Sequence, residues 1–459
     1  MSTRLFLILL ALPLAAAAQT PNQRLARDVY KELVEINTVT ANGDTAAAAQ
    51  AMAGRLKSAG LPADDVRVFT PAPRKGNVVA RLRGTGAKRP ILLVAHIDVV
   101  EARREDWSSD PFKLVEKDGY FYARGSGDDK FMAAAFVANL MRYRQEGLRP
   151  ARDIILVLET DEEVLDADGV GMSWLIKNHR ELIDAELALN EGAGVGLKNG
   201  KPLRNGVQTS EKVPVNYRLE VKNSGGHSSL PRKDNAIYRL ADGLGRLARY
   251  DFPVRLNETT RLWFERSAAT EAPQSAADMR SLAAGRADAA AIARLSANPL
   301  YNAQMRTTCV ATMLEGGHAT NALPQTARAT VNCRVLPGEP LAEVESTLRK
   351  VLADEAISLT QTWAHVASDP SPLRPDLVQA IEKLTAEFWP GTPVIPSMST
   401  GATDGSFLRN VGIPTYGHSG LAGDVDDVRA HGRDERVGVK AFDDGLEYLY
   451  RLVKVLAGG

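Results

Sequence analysis

Two imidazoles and a set of carboxylates, each at the end of an apolar run or a Gly-rich turn, are where this sequence can do chemistry. ILLVAHIDVV, Ile91 to Val100, ends in His96 and Asp98. GYFYARGSGDDK carries Asp128, RDIILVLETDEE ends in the adjacent Glu162 and Glu163, AELALNE ends in Glu191, and AHGRDERV carries His431. Side chains at i and i+2 of a strand share a face, so Asp98 stands beside His96, where a carboxylate fixes the tautomer of a metal-bound ring. Adjacent carboxylates such as Glu162 and Glu163 repel unless a cation or a proton is shared. Two imidazoles, His96 and His431, with three carboxylates, Asp128, Glu163 and Glu191, make the mixed N/O set that suits zinc, with cobalt or manganese as substitutes. Three carboxylates and one hydroxide nearly offset two divalent cations, whereas one zinc leaves excess negative charge. The balance points to two zinc ions about 3.5 to 4 Å apart, polarising a carbonyl and making hydroxide available near neutral pH.

Strands must bring these groups together. The Ile/Leu/Val run before His96 reads as a strand buried on both faces, and the runs before Glu162 and Glu191 read likewise. Helical segments alternate with them (Phe131 to Tyr143, Gly171 to Arg180), which predicts an α/β layer with a mostly parallel sheet flanked by helices. Ligands of such sheets bind at the carboxyl ends of strands, where His96, Asp98, Glu162, Glu163 and Glu191 all fall. Asp129 stands at the head of the helix FMAAAFVANLMRYRQ and reads as its N-cap carboxylate. Strand alternation followed by helices from Glu211 onward, without a βαβ rhythm, predicts an inserted α+β domain over residues 211–368. The first domain would then comprise residues 19–210 and 369–459. The Ala-rich stretch Thr259 to Ser296 carries no chemical motif and reads as an insertion.

The balance of acidic and basic residues is even, 56 of each, which leaves no electrostatic footprint for nucleic acid or an anionic membrane. Arg4, the apolar run Leu5 to Leu14 and Ala16-Ala17-Ala18 form a signal peptide over residues 1–18, cleaved near Ala18. The mature chain is thus expected to be exported, periplasmic or secreted, with no membrane span. Export permits a disulfide between Cys309 and Cys333, but the pair is read as two buried thiols.

The motifs closely resemble the di-zinc exopeptidase and aminoacylase family of glutamate carboxypeptidases, aminoacylase-1, succinyl-diaminopimelate desuccinylase and carboxypeptidase S. HxDVV, W-x-x-x-P-F, RGxxDxK, DEE, NEG, GGHSS, N-x-x-P, ATDG and HGxxE occur in the family's order over most of the mature chain. The resemblance implies that Asp128 bridges two metals, with His96 and Glu191 completing one site and Glu163 and His431 the other. Glu162 would be the general base, Asp98 would orient His96, and a cis peptide would follow Asp128. The inserted domain would be a lid and often a dimer interface, bringing His227 to the oxyanion from a partner subunit or on closure. Asn321 and Arg334 match lid residues that meet the substrate, Arg334 as a clamp for a C-terminal carboxylate. Gly401, Thr403 and Asp404 match the substrate-side loop. Ala123, Phe131 and Gly405-Ser406 depart from the family pattern, the last removing a positive substrate contact. His179, His318, His365 and His418 match no metal role.

The expected activity is hydrolysis of the amide bond of small peptides, carboxypeptidase or dipeptidase in type, by metal-bound hydroxide with a Glu general base. An N-acyl amino-acid amidohydrolase is the alternative. A non-catalytic periplasmic binding protein on the same scaffold is disfavoured by the retained base and ligands.

Overall fold

The computed structural model describes residues 19–165 and 169–459. The expected signal segment, residues 1–18, lies outside the described residues. Strand Ile91–His96 is buried throughout because its residues alternate between two apolar layers. Ile91, Leu93 and Ala95 join a cluster with helices Pro21–Glu35, Thr45–Ser58, Lys130–Gln145, Pro375–Phe388 and Val439–Leu456. Leu92 and Val94 join another with Met172–Ile183 and Gly405–Asn410. Burial on both faces is what permits an uninterrupted aliphatic strand.

Ile154–Glu159 and Leu187–Asn190 pair with it in parallel on either side, and Thr415–Gly417 continues the parallel set. Lys75–Leu82 and Val66–Ala72 extend one edge antiparallel. Beyond Thr415–Gly417, Lys201–Glu211 runs antiparallel to it and parallel to Val394–Ser399. The result is a ten-stranded mixed sheet with a parallel centre and helices on both faces.

A second sheet follows the order Thr308–Gly316, Thr326–Val335, Val213–Lys222, Ile357–Ala364, antiparallel throughout, with helices Ala236–Leu247 and Leu341–Leu352 in its core. Its register sets Cys309 directly opposite Cys333, and the two form a disulfide. This corrects the expectation of two thiols: the pairing depends on strand register, which the spacing of two cysteines does not reveal.

The Ala-rich stretch becomes helices Glu258–Ser267, Pro273–Ala283 and Ala289–Ser296, followed by Pro299–Met305. Their core of Trp263, Phe264, Met279 and Leu295 takes in Ile395, so they pack against strand Val394–Ser399 of the first sheet. Among the described residues no helix is long and apolar enough to cross a membrane.

Candidate metal centre and active site

His96 closes its strand with 1% of its side-chain surface exposed. Its Nδ1–H donates to the Asp98 carbonyl (3.0 Å), which turns Nε2 toward Asp128 Oδ1 (3.1 Å) and Glu191 Oε2 (3.9 Å). The other Asp128 oxygen, Oδ2, lies 3.2 Å from His431 Nε2, and that nitrogen is 2.8 Å from Glu163 Oε2. Asp128 therefore offers one carboxylate oxygen to each imidazole. The sets His96, Asp128, Glu163 and His96, Glu162, Glu191 also hold donor atoms within 4.8 Å of one another. Every grouping passes through His96 or Asp128, so the six side chains form one continuous cluster. Asp128, Glu162, Glu163, Glu191 and His431 line a cavity of about 290 Å³.

Local backbone chemistry builds this geometry. Asp161 takes a left-handed conformation (φ 71°), anchored by Lys75 Nζ at 2.6 Å, and the chain turns into the short 3-10 segment Glu162–Val164. A non-glycine residue there is uncommon and persists when its surroundings fix it. The Asp98 carboxylate accepts the N–H of Glu162 (3.3 Å) and of Glu163 (3.1 Å). Asp98 thus meets His96 most closely through its carbonyl, with its carboxylate 3.6 Å from Nδ1, and uses that carboxylate to set the two glutamates.

The Asp128 turn is held by a residue given no role in the sequence reading. Glu435 accepts the N–H groups of Gly125 (3.1 Å), Gly127 (2.8 Å) and Asp128 (3.3 Å), and pairs with Arg124 at 2.7 Å. Arg124 also donates to the carbonyls of His431 (3.3 Å) and Gly432 (3.1 Å). This buried pair ties the Asp128 turn to the His431 loop. The Asp128-Asp129 peptide is cis. Asp129 occupies the N-cap position without a side-chain cap bond, and one of its buried oxygens has no hydrogen-bond partner. The expectation of an N-cap carboxylate is corrected: the side chain is turned into the interior, where burial raises its pKa.

The electrostatics call for positive charge. Burial, then the charge of Glu191, lifts Glu162 well above the usual carboxyl range, and burial brings Glu191 to about 8. Burial also pushes Asp128 up, but bonds from His431 and His96 outweigh it and hold the group below its ordinary value. Hydrogen bonds to Asp128 and Glu163 draw His431 up to about 10. A tight group of carboxylates that pulls protons onto its imidazoles is the electrostatic environment in which divalent cations bind well. With carboxylate oxygens and imidazole nitrogens as donors, the residues fit a pair of divalent metals.

Residues 92–455 match Peptidase family M20/M25/M40. The chain belongs to this family. It is 29% identical over 379 residues to the N-fatty-acyl-amino acid synthase/hydrolase PM20D1 of Homo sapiens, covering 80% of this chain and 74% of that one. It is 28% identical over 437 residues to aminoacylase-1 of Pongo abelii, covering 94% of each. The fold matches the M20 family metallo-carboxypeptidase Sso-CP2 of Sulfolobus solfataricus with a TM-score of 0.71 at 19% identity, over 94% of this chain and 99% of that one. As an M20 member the chain is a metallo-hydrolase of amide bonds, of the peptidase and aminoacylase type. The family binds a dinuclear metal centre.

The remaining sequence-derived candidates of this M20 chain divide. Thr403 lines the cavity and donates to Glu211 (3.2 Å). Asp404 is buried beside Glu159, and Gly401 donates its N–H to Ser399 Oγ (3.0 Å). His227 is exposed on the short strand Gly226–His227, its Nδ1 2.7 Å from Ser229 Oγ. Asn321 is exposed and accepts the Ser228 N–H through its carbonyl (3.0 Å). Arg334 is half-buried, with Nε 3.2 Å from Asn332 Oδ1, and burial lowers its pKa. His227, Asn321, Arg334, Gly401 and Asp404 do not line the cavity around the cluster.

Two further residues went unread. Gln208 lines the cavity and donates to Glu211 (3.1 Å), which pairs with Arg409. Nothing in the strand pattern of Lys201–Glu211 singles Gln208 out. Glu435, by contrast, stood in the AHGRDERV motif beside His431.

Proposed function

We propose that this chain hydrolyses the amide bond of small peptides from the C-terminal side, with N-acyl amino acids as the second reading, at two zinc ions. His96, Asp128, Glu163, Glu191 and His431 would hold the two ions, with Asp128 lying between the two imidazoles. The observation that carries this reading is the division of the Asp128 carboxylate between two imidazoles, at 3.1 and 3.2 Å. Bound there, the cations supply carbonyl polarisation and a water acidic enough to react near neutral pH.

The chain's own groups do the rest. Glu162, buried at the cavity wall, takes the proton of the attacking water and delivers it to the leaving nitrogen. Asp98 keeps the Glu162 backbone and the His96 ring in place while this proton moves. His227 comes to the developing oxyanion from the domain that carries the second sheet, on closure or from a second copy. A second copy has a surface to meet: edge strand Thr308–Gly316 leaves Val310, Met313 and Leu314 exposed. Arg334, half-buried without a carboxylate within 4.0 Å among the described residues, is suited to a substrate carboxylate. The N-terminal charged and apolar pattern supports export of the chain.

Glu162→Gln is the direct test. Turnover is expected to fall about 10²- to 10⁴-fold while bound metal stays at about two per chain; retained activity would remove Glu162 from the proton-transfer role. Parallel panels of dipeptides and acetyl amino acids decide between the two substrate readings.

A further inference from the structure

Strand Lys201–Glu211 lies inside the first sheet, and Gln208 on it stands level with Ser397 of the parallel neighbour and Gly417 of the antiparallel one. Its side chain is buried, 5% exposed, on the wall of the 290 Å³ cavity that Glu162 also lines. Two glycines make room for it. An added Cβ at Gly192 would lie 2.5 Å from Gln208 Oε1, and one at Gly417 would lie 3.0 Å from its Cβ and 3.2 Å from its Cδ. The amide is also turned one way. Gln208 Nε2 donates to Glu211 Oε2 (3.1 Å), the oxygen that accepts the Thr403 hydroxyl (3.2 Å), and Glu211 is paired with Arg409. A carboxylate held by an arginine accepts and does not donate, so the Gln208 nitrogen must face Glu211 and the oxygen must face away. Oε1 lies beside Gly192, itself a lining residue, and accepts no hydrogen bond among the described residues. Buried polar groups are nearly always bonded, so an acceptor left open on a cavity wall calls for a donor from the ligand. Thr403 Oγ1 already accepts the Gly405 N–H (3.2 Å), and Ser399 Oγ the Gly401 N–H (3.0 Å). Ser397 is the rival acceptor on this wall.

We infer that Gln208 Oε1 accepts the N–H of the scissile amide, and that Glu211 is the positioning residue that fixes which way the Gln208 amide faces. The inference rests on the amide-hydrolase reading and deepens it: the site recognises secondary amides over esters and over amides without a hydrogen on nitrogen. In a trans amide the N–H and the carbonyl oxygen point in opposite directions. A substrate whose oxygen turns toward cations held by the cluster presents its N–H to the rest of the wall, of which Gln208 is part. An ester puts a lone pair in that place, and two acceptors facing each other leave both unpaired.

The test uses the full metal-loaded protein and matched substrate pairs, an acyl amino acid or dipeptide and the ester with oxygen in place of the amide N–H. Gln208→Met keeps the length of the side chain and removes the acceptor, so the amide-to-ester ratio of kcat/KM should fall about tenfold. The greater intrinsic reactivity of the ester is common to both proteins and cancels in this comparison. Retained ester cleavage shows that the variant is folded. Glu211→Gln supplies a donor to Gln208 Oε1 and lets the amide turn over, so the ratio should fall in the same direction. Calorimetry on the Glu162→Gln protein gives a readout without turnover: its preference in affinity for amide over ester should drop by a similar factor when Gln208→Met is added. An unchanged ratio in Gln208→Met overturns the inference, as does a drop found in Ser397→Ala in its place. An unchanged ratio in Glu211→Gln removes the positioning role alone. Failure to cleave any amide would sink the amide-hydrolase reading, whereas amide cleavage at an unchanged ratio would sink only the role of Gln208.

Discussion

His96 and His431 face one carboxylate from opposite sides, yet the protein holds them by different means. His96 is 1% exposed at the end of a central strand, its Nδ1 fixed by the Asp98 carbonyl. His431 is 55% exposed, lies in a loop at φ 61°, and has its backbone secured by Arg124. One ring inherits its position from a sheet and the other from a buried ion pair contributed by distant segments. The lesson is that the half of the centre around His431 is the one expected to open first.

The largest effect should come from the shared ligand. Asp128→Asn weakens both halves together, so bound metal should fall from about two per chain to below one and turnover should vanish. Metal analysis on the purified variant checks this, and a variant that keeps both ions would break the bridging assignment. His431→Ala should cost less metal than His96→Ala, leaving about one ion per chain on the buried side with a folded protein. Equal losses would mean that the burial difference does not matter.

Glu435→Gln sharpens the same comparison without touching a ligand. It leaves Arg124 charged in a buried site, so stability should drop by about 3 to 5 kcal/mol. Metal affinity should weaken about 10- to 100-fold, as is usual when ligands lose their supporting bonds, and the His431 side should weaken more. Titration with metal, followed by chemical denaturation of the loaded protein, measures both.

The same contrast explains what could be read from the sequence. The buried strands announced themselves as unbroken aliphatic runs, and His96, Glu162, Glu163 and Glu191 stood out as polar residues ending them. Relations between separate segments carried no such mark. Glu435 reaches Arg124 across more than half the chain, Cys309 meets Cys333 only through strand register, and Trp263 finds the first sheet through a helical insertion whose Ala-rich sequence gave no hint of where it packs. His227, Asn321 and Arg334 belong to the second sheet domain, and their distance from the cluster depends on how two layers are set against each other, which local patterns do not encode.

The disulfide compares the two sheets as structures rather than as sites. In the chain-entropy account, closing a loop with a sequence separation of 24 stabilises the folded chain by about 3 kcal/mol. Cys309→Ser should lower the unfolding free energy by that amount, with metal content unchanged because the bridge lies wholly within the second sheet. A loss of metal on reduction would show that the two layers are coupled more tightly than their separate cores suggest.

His418 supplies the control for His96. It also lies fully buried near the first sheet, but it faces the Gly206 carbonyl (2.7 Å) and the Tyr448 hydroxyl (2.8 Å) in place of carboxylates. Burial therefore pushes its pKa down to about 4, whereas Asp128 and Asp98 overcome burial and draw His96 up. Between pH 6.5 and 4 the unfolded chain binds a proton at this position that the folded chain does not, so stability falls as pH falls through that window. By pH 5 the loss should be about 2 kcal/mol relative to pH 7.5. His418→Gln keeps a donor and an acceptor without titrating, and the difference between the two proteins' denaturation curves from pH 7.5 to 5 isolates this contribution from that of the metal centre. An unchanged slope in the variant would mean that the imidazole accepts a proton in the folded state, and that the contrast with His96 is one of degree.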